Sequence, residues 1–392
     1  MLDLIVKAEE IVKPIFEEIS KTVQINQKKV LDAFHECNIS NRHFVSTNGY
    51  GYDDEGRDAI DRLFAKIFGC EDALVRYNFV NGTHAISTAL WGILRSSDTL
   101  VYFNEPYDTL KQVISSLEDI GVNYIEANFD NLQKIVKNNK PKLVCIQRSR
   151  GYNFYRNALT CEKIGEIISE IKRVSPETIV MVDNCYGEFV ETFEPTNVGA
   201  DLMVSSLIKN AGGGIAQTGG YIAGHADLIE KCAERLTAVG IGRHVGCTLG
   251  ANREILQGIF MAPHVVGEAL KTAILASKVF ELDGYEISPK AEDFRGDIVQ
   301  AIRLGSAKKL LAFCMGIQNS SPIDSNVTPL PWAMPGYEDD VVMAAGTFVQ
   351  GASIELTADS AMREPYVAYM QGSLTYESGR LAVEEALNRI NE

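Results

Sequence analysis

Between residues 46 and 285 the chain repeatedly sets a short, mostly apolar run before a longer stretch of helical periodicity. Lys142-Leu-Val-Cys-Ile146 and Thr178-Ile-Val-Met-Val182 are runs of the first kind, and Glu162 to Val174 is one of the second. A strand with no polar alternation must be covered on both faces, which antiparallel hairpins rarely achieve and parallel crossover units do routinely. The pattern therefore predicts a doubly wound α/β sheet with helices on both sides.

One such run, Leu202-Met-Val204, ends in Ser205, Ser206 and, after Leu207 and Ile208, Lys209. Gly212, Gly213 and Gly214 follow at once. A lysine at the end of a buried strand, beside hydroxyls and a glycine turn, is placed to hold an aldehyde cofactor as a Schiff base. That chemistry points to pyridoxal 5'-phosphate (PLP). Burial is expected to lower the lysine pKa and free its amine to act as a base.

The rest of the chain supplies the other parts such a cofactor needs. Asp183 closes the run from Thr178, where a carboxylate can keep a pyridine nitrogen protonated. Gly82, Thr83 and His84 open a helical pattern directly after Ala73-Leu-Val-Arg76 and Asn81, so their backbone N–H groups are expected to face a phosphate. The segment matches neither the P-loop nor the dinucleotide fingerprint. Tyr107, after the run Thr99 to Phe103, is placed to stack on a flat heterocycle. Glycine turn, aromatic, aspartate and lysine occur in this chain order, and the ordered set carries more weight than any member.

Gly49-Tyr-Gly-Tyr-Asp-Asp-Glu-Gly-Arg57, Asn81-Gly-Thr-His-Ala-Ile86, Asp183-Asn-Cys-Tyr-Gly-Glu188, Thr218-Gly-Gly-Tyr-Ile222 and Gln371-Gly-Ser-Leu-Thr-Tyr376 resemble the methionine gamma-lyase-related PLP proteins. Members of that group are often labelled aluminium resistance proteins or cystathionine beta-lyases. The resemblance spans nearly the whole chain. It implies an aspartate-aminotransferase-like fold of type I, with a seven-stranded, mostly parallel sheet in a large domain and a smaller α+β carboxyl-terminal domain. It also implies a homodimer or homotetramer with the active site at a subunit interface, where Tyr50 or Tyr52 and Arg57 of a neighbouring chain hold the phosphate. The reaction implied is elimination of a thiol from a sulfur-containing amino acid, with transamination, another PLP reaction or a weakly catalytic PLP-binding role as alternatives.

The chain departs from the wider group just before the lysine. There the usual Ser-x-Thr is replaced by Ser206, Leu207 and Ile208, so Ser205 or Thr218 is left to supply the second hydroxyl. An amino-acid substrate needs a carboxylate anchor, and Arg363 is preferred to Arg380, which lies in a terminal helical stretch. His84, Tyr186, His244 and His264 are weaker pocket candidates.

A formal charge of −15, from 37 basic against 52 acidic residues, argues against nucleic acid or an anionic membrane as partner. The 8 cysteines form no Cys-x-x-Cys pair and no zinc-like spacing, so no metal site is expected, and reduced thiols of a cytoplasmic protein are. Three regions are expected: an amphipathic helical arm over 1–45, a large PLP-binding domain over 46–285 and a small domain over 286–392. In the last, Glu292 to Leu304 predicts a helix, and Val341 to Val349 with Ser353 to Leu356 a strand pair.

Overall fold

Seven short strands make the central sheet: β1 (Asp72–Arg76), β2 (Thr99–Phe103), β3 (Asn123–Ala127), β4 (Leu143–Gln147), β5 (Ile179–Asp183), β6 (Leu202–Ser206) and β7 (Gly220–Gly224). They lie in the order β1-β7-β6-β5-β4-β2-β3 in the computed structural model, which describes residues 2–392. Only β7 runs antiparallel to its neighbours.

Alternate residues along each strand feed opposite cores. Leu100 and Tyr102 pack under α3 (Gly82–Ile93), α4 (Asp108–Glu118) and α7 (Ala226–Leu236). Val101 and Phe103 pack on the other face against α5 (Leu132–Asn139) and α6 (Cys161–Val174). The same face, further along the sheet, is covered by α2 (Glu55–Phe68) and α8 (Asn252–Leu282). Burial on both faces is why these strands carry no polar alternation.

Helix α1 (Leu2–Glu36) lies along α8, burying Val12, Ile19 and Val30 in the core that α8 shares with the sheet. Helix α8 is long and apolar enough to cross a membrane, but 72% of its most apolar window is buried inside the fold. Its last turns, with Val279 and Phe280, enter a second core together with Ile5 and Ala8 of α1.

That second core belongs to a five-stranded antiparallel sheet: β8 (Glu286–Ser288), β9 (Gln300–Arg303), β10 (Val341–Ala344), β11 (Thr357–Ala361) and β12 (Val367–Gln371), in the order β10-β11-β12-β9-β8. It is backed by α9 (Ala307–Asn319) and α10 (Tyr376–Ile390). Two expectations are corrected here. Residues 292–299 form an irregular segment, exposed over 292–294 and buried over 295–299, that leads into β9; a side chain at Gly296 would come within 2.3 Å of the Leu159 carbonyl, and the chain threads past it. Strand β10 ends at Ala344 and pairs with β11, so the partner of the 341–344 segment is 357–361 and not 353–356.

Candidate active site

The carboxyl ends of β2, β4, β5 and β6 open onto one cavity of about 420 Å³, the place where open α/β sheets bind ligands. Its lining includes Gly82, Thr83, Tyr107, Asp183, Ser206, Lys209 and Arg363. With Tyr186, which also lines it, eight of the side chains or turns singled out from the sequence are therefore brought together.

Each is positioned by its own element. Asn81 caps α3 by accepting from His84 N–H at 2.8 Å. Of the three turn N–H groups, those of Gly82 and Thr83 remain for an anion, and the expectation for His84 is corrected: its N–H is used by the cap. Its ring also turns away, accepting from Val80 N–H at 3.1 Å and standing edge-on to Phe79. A Cβ on Gly82 would lie 3.3 Å from Ser206 Cβ and 3.5 Å from Cys185 Sγ, so glycine is what lets the helix start close on β6. Tyr107 Oη and Thr83 Oγ1 are hydrogen-bonded at 3.1 Å, which joins the aromatic to the turn. Burial, then the Asp183 carboxylate, pushes the Tyr107 phenol well above its usual range and keeps it protonated.

Asp183 is buried at the end of β5, where its Oδ1 accepts from Cys185 N–H at 3.1 Å. Lys209 Nζ lies 4.2 Å from the centre of the Tyr186 ring. Burial pulls the Lys209 pKa down, but Cys185, Tyr186 and Asp183 around it more than offset this, and the ammonium form is favoured. The expectation of a lowered pKa is thus reversed: burial came with a carboxylate and an aromatic face.

The glycine turn after Lys209 presses on α8. A Cβ at Gly258 would sit 2.4 Å from Gly212 O, and Gly213 takes φ +54°. Ser206 faces the cavity, whereas Ser205 points to the other side of β6 and contacts Cys185 Sγ at 3.5 Å. Thr218 Oγ1 donates to Tyr77 O at 3.3 Å, so neither proposed substitute lines the cavity.

Arg363 lines the cavity rim and pairs with Asp339 at 3.0 Å. Arg380 lies on α10 and pairs with Glu9 and Glu384. Tyr52 and Arg57 are not brought to the cavity of their own chain. Tyr52 is exposed and stacks on Tyr50 at 5.7 Å. The Arg57 guanidinium is buried, donating to Gly51 O and Gly246 O and pairing with Asp58. His244 and His264 do not line the cavity.

The second sheet, the loop after β4 and the loop before β10 contribute residues that sequence reasoning missed. Asp359 on β11 is buried in the wall, where its Oδ2 accepts from Gln371 Nε2 at 2.8 Å. Burial pushes its carboxyl up to about 6. Tyr152 stands between Tyr337 and Tyr369, 5.8 and 5.2 Å away, and makes an aromatic wall. No local motif marks these positions; a carboxylate inside the buried strand Thr357–Ala361 was the available signal.

Residues 1–391 match the methionine gamma-lyase family. The chain belongs to that family. Its members are PLP-dependent enzymes of fold type I. The chain is 45% identical to YnbB of Bacillus subtilis over 96% of its own length and 93% of that protein. A carbon-sulfur lyase involved in aluminum resistance from Clostridium novyi has a crystal structure with a TM-score of 0.95 and 46% identity, covering 99% of this chain and 95% of that one. An L-methionine gamma-lyase of Fusobacterium nucleatum is 26% identical over 53% of the chain and 51% of that enzyme. Cystathionine gamma synthase of Xanthomonas oryzae shares the fold at a TM-score of 0.62 and 18% identity, over 88% of this chain and 89% of that one. The cavity fits the family's cofactor: a glycine-made cradle at a helix start, an acid, an aromatic and an amine all face it.

Proposed function

We propose that this protein is a PLP-dependent carbon–sulfur lyase acting on a sulfur-containing amino acid. The observation that carries the reading is the convergence of Lys209, Asp183, Tyr107 and the Gly82–Thr83 turn on one cavity. When bound, PLP supplies an aldehyde and an electron-withdrawing ring that stabilises negative charge at the substrate α-carbon.

Every other step falls to the chain. The N–H groups of Gly82 and Thr83, at the positive end of α3, bind the phosphate with the Ser206 hydroxyl. Asp183 holds a proton on the pyridine nitrogen. Lys209 is the one amine among the lining residues; its nitrogen would hold the aldehyde and, once displaced from it by the substrate amine as the neutral amine, would take the α-proton. Tyr107 stacks on the ring, keeps its phenol proton and offers it to the departing sulfur. Arg363 receives the substrate carboxylate as a planar fork. Tyr50 or Tyr52, which are exposed, and Arg57, whose guanidinium lies buried behind them, serve the cavity of a second copy in a homodimer or homotetramer. Eight cysteines free of disulfides suit a cytoplasmic enzyme.

The test is direct. Purified protein should show a visible imine absorption that disappears in Lys209→Ala, and should release a thiol and a keto acid from cystathionine or methionine. Keto acid formed only when an acceptor is added would make it a transaminase instead, and a spectrum unmoved by any amino acid would count against catalysis.

A further inference from the structure

A second, larger cavity of about 1110 Å³ adjoins the first and shares Glu105, Arg150, Asn153 and Arg156 with it. Arg295 also lines it. Arg150 and Arg295 are only 1% and 8% exposed, yet neither is ion-paired with a carboxylate of the described residues. Arg150 donates to Ser288 and Asn157, Arg156 to the carbonyls of Glu105 and Gln147, and Arg295 to Gln300. Arg150 Nε, Arg156 Nε and both Nε and Nη1 of Arg295 are buried without any partner.

Charged groups are buried in proteins when something neutralises them. Asp297 stands nearby, but its oxygens accept from Ser149 Oγ, Val299 N–H and Arg150 N–H. Lys163 at the rim is paired with Glu166, Glu105 with Lys111, and Glu126 and Asp293 are exposed to water. Burial depresses the pKa of all three arginines, that of Arg295 to about 10; the Asp297 carboxylate pulls each of them upward without offsetting the burial, and Arg150 pushes Arg295 down further. Positive charge with donors to spare therefore lines a cavity that shares a wall with the substrate site.

We infer that this side cavity is an anion site for a small carboxylate, either the far end of the substrate or a free acid. The inference deepens the lyase reading in its first form and is independent of it in its second. The PLP-loaded protein is titrated calorimetrically with succinate and with inorganic phosphate as probes. Saturable succinate binding should weaken at least ten-fold in Arg295→Gln. A second variant, Asn157→Asp, leaves every arginine in place and sets a carboxylate beside Arg150 at an exposed, near-isosteric position. It should weaken succinate at least ten-fold and melt higher than the parent protein. No saturable binding of either probe, or equal binding in all three proteins, overturns the site.

The source of the acid is read from the ratio of kcat/KM for cystathionine to that for S-ethylcysteine, which lacks the far carboxylate. A ten-fold fall of that ratio in both variants identifies the substrate's far end. A constant ratio, with succinate altering turnover of both substrates in the parent protein only, identifies a free acid. If neither amino acid is turned over, the lyase reading fails while the calorimetry still decides the site.

Discussion

Lys209 Nζ sits 4.2 Å above the centre of the Tyr186 ring, and Tyr186 holds a φ of +71° to put it there. A non-glycine residue in that region of backbone space is uncommon and strained, so the surrounding fold must hold it. The ring stabilises the ammonium by about 0.5–2 kcal/mol. Replacing it in Tyr186→Leu should move the pH midpoint of imine absorption downward and change the equilibrium for imine formation about 2- to 30-fold. A pH titration of the absorption checks both, and an unmoved midpoint would show that the ring does not act on the amine.

Asp183→Asn separates charge from shape. The amide oxygen can still accept from Cys185 N–H, so the turn after β5 should keep its form. The ring nitrogen loses its anion, and turnover should fall about 10²- to 10⁴-fold while imine absorption persists. Steady-state rates beside the spectrum of the same sample test this.

Arg148, wholly buried, donates to Asn184, pairs with Glu191 at 2.6 Å and lies 3.5 Å from Glu194. It holds the loop that carries Cys185 and Tyr186, yet it lies outside the cavity. Arg148→Ala takes the paired cation from buried Glu194, leaving it only the unpaired Lys29, and should cost about 3–5 kcal/mol. Urea unfolding measures it, and a loss under 1 kcal/mol would mean that the two glutamates find other partners.

Glu188 receives a hydrogen bond from Tyr221 Oη at 2.8 Å, and burial pushes its carboxyl up from 4.5 to about 7. A raised carboxyl favours the protonated folded form, so its contribution is full below pH 4.5 and is lost as pH rises to about 7. Glu188→Gln keeps the acceptor for Tyr221 and cannot ionise. Its stability relative to the parent should climb between those pH values, by about 3 kcal/mol in all, and stay level above them. Thermal melts across that range provide the check.

Asp183 and Lys209 were legible because a short apolar run, four residues in β5 and three in β6, gives way to polar side chains that meet the sheet's open edge while the backbone stays buried. Tyr107 and the Gly82 turn followed from the same strand-to-loop logic. His84 was misjudged because the cap that consumes its N–H belongs to Asn81, one bond of local geometry that composition does not express. The lysine's charge state was misjudged because it depends on which groups surround Nζ, and Tyr186 reaches it only through an unusual backbone angle.

Chain order and periodicity alone thus determined a doubly wound sheet and the four groups at its carboxyl edge, since each is set by a neighbour within a few residues. Packing of the second sheet decided the rest. Asp359 and Gln371 reach the cavity wall only because β11 and β12 pair. Arg150 and Arg295 meet only because the segment before β9 threads past Leu159. These contacts join residues far apart in the chain, and they form only when two separate cores close on one another.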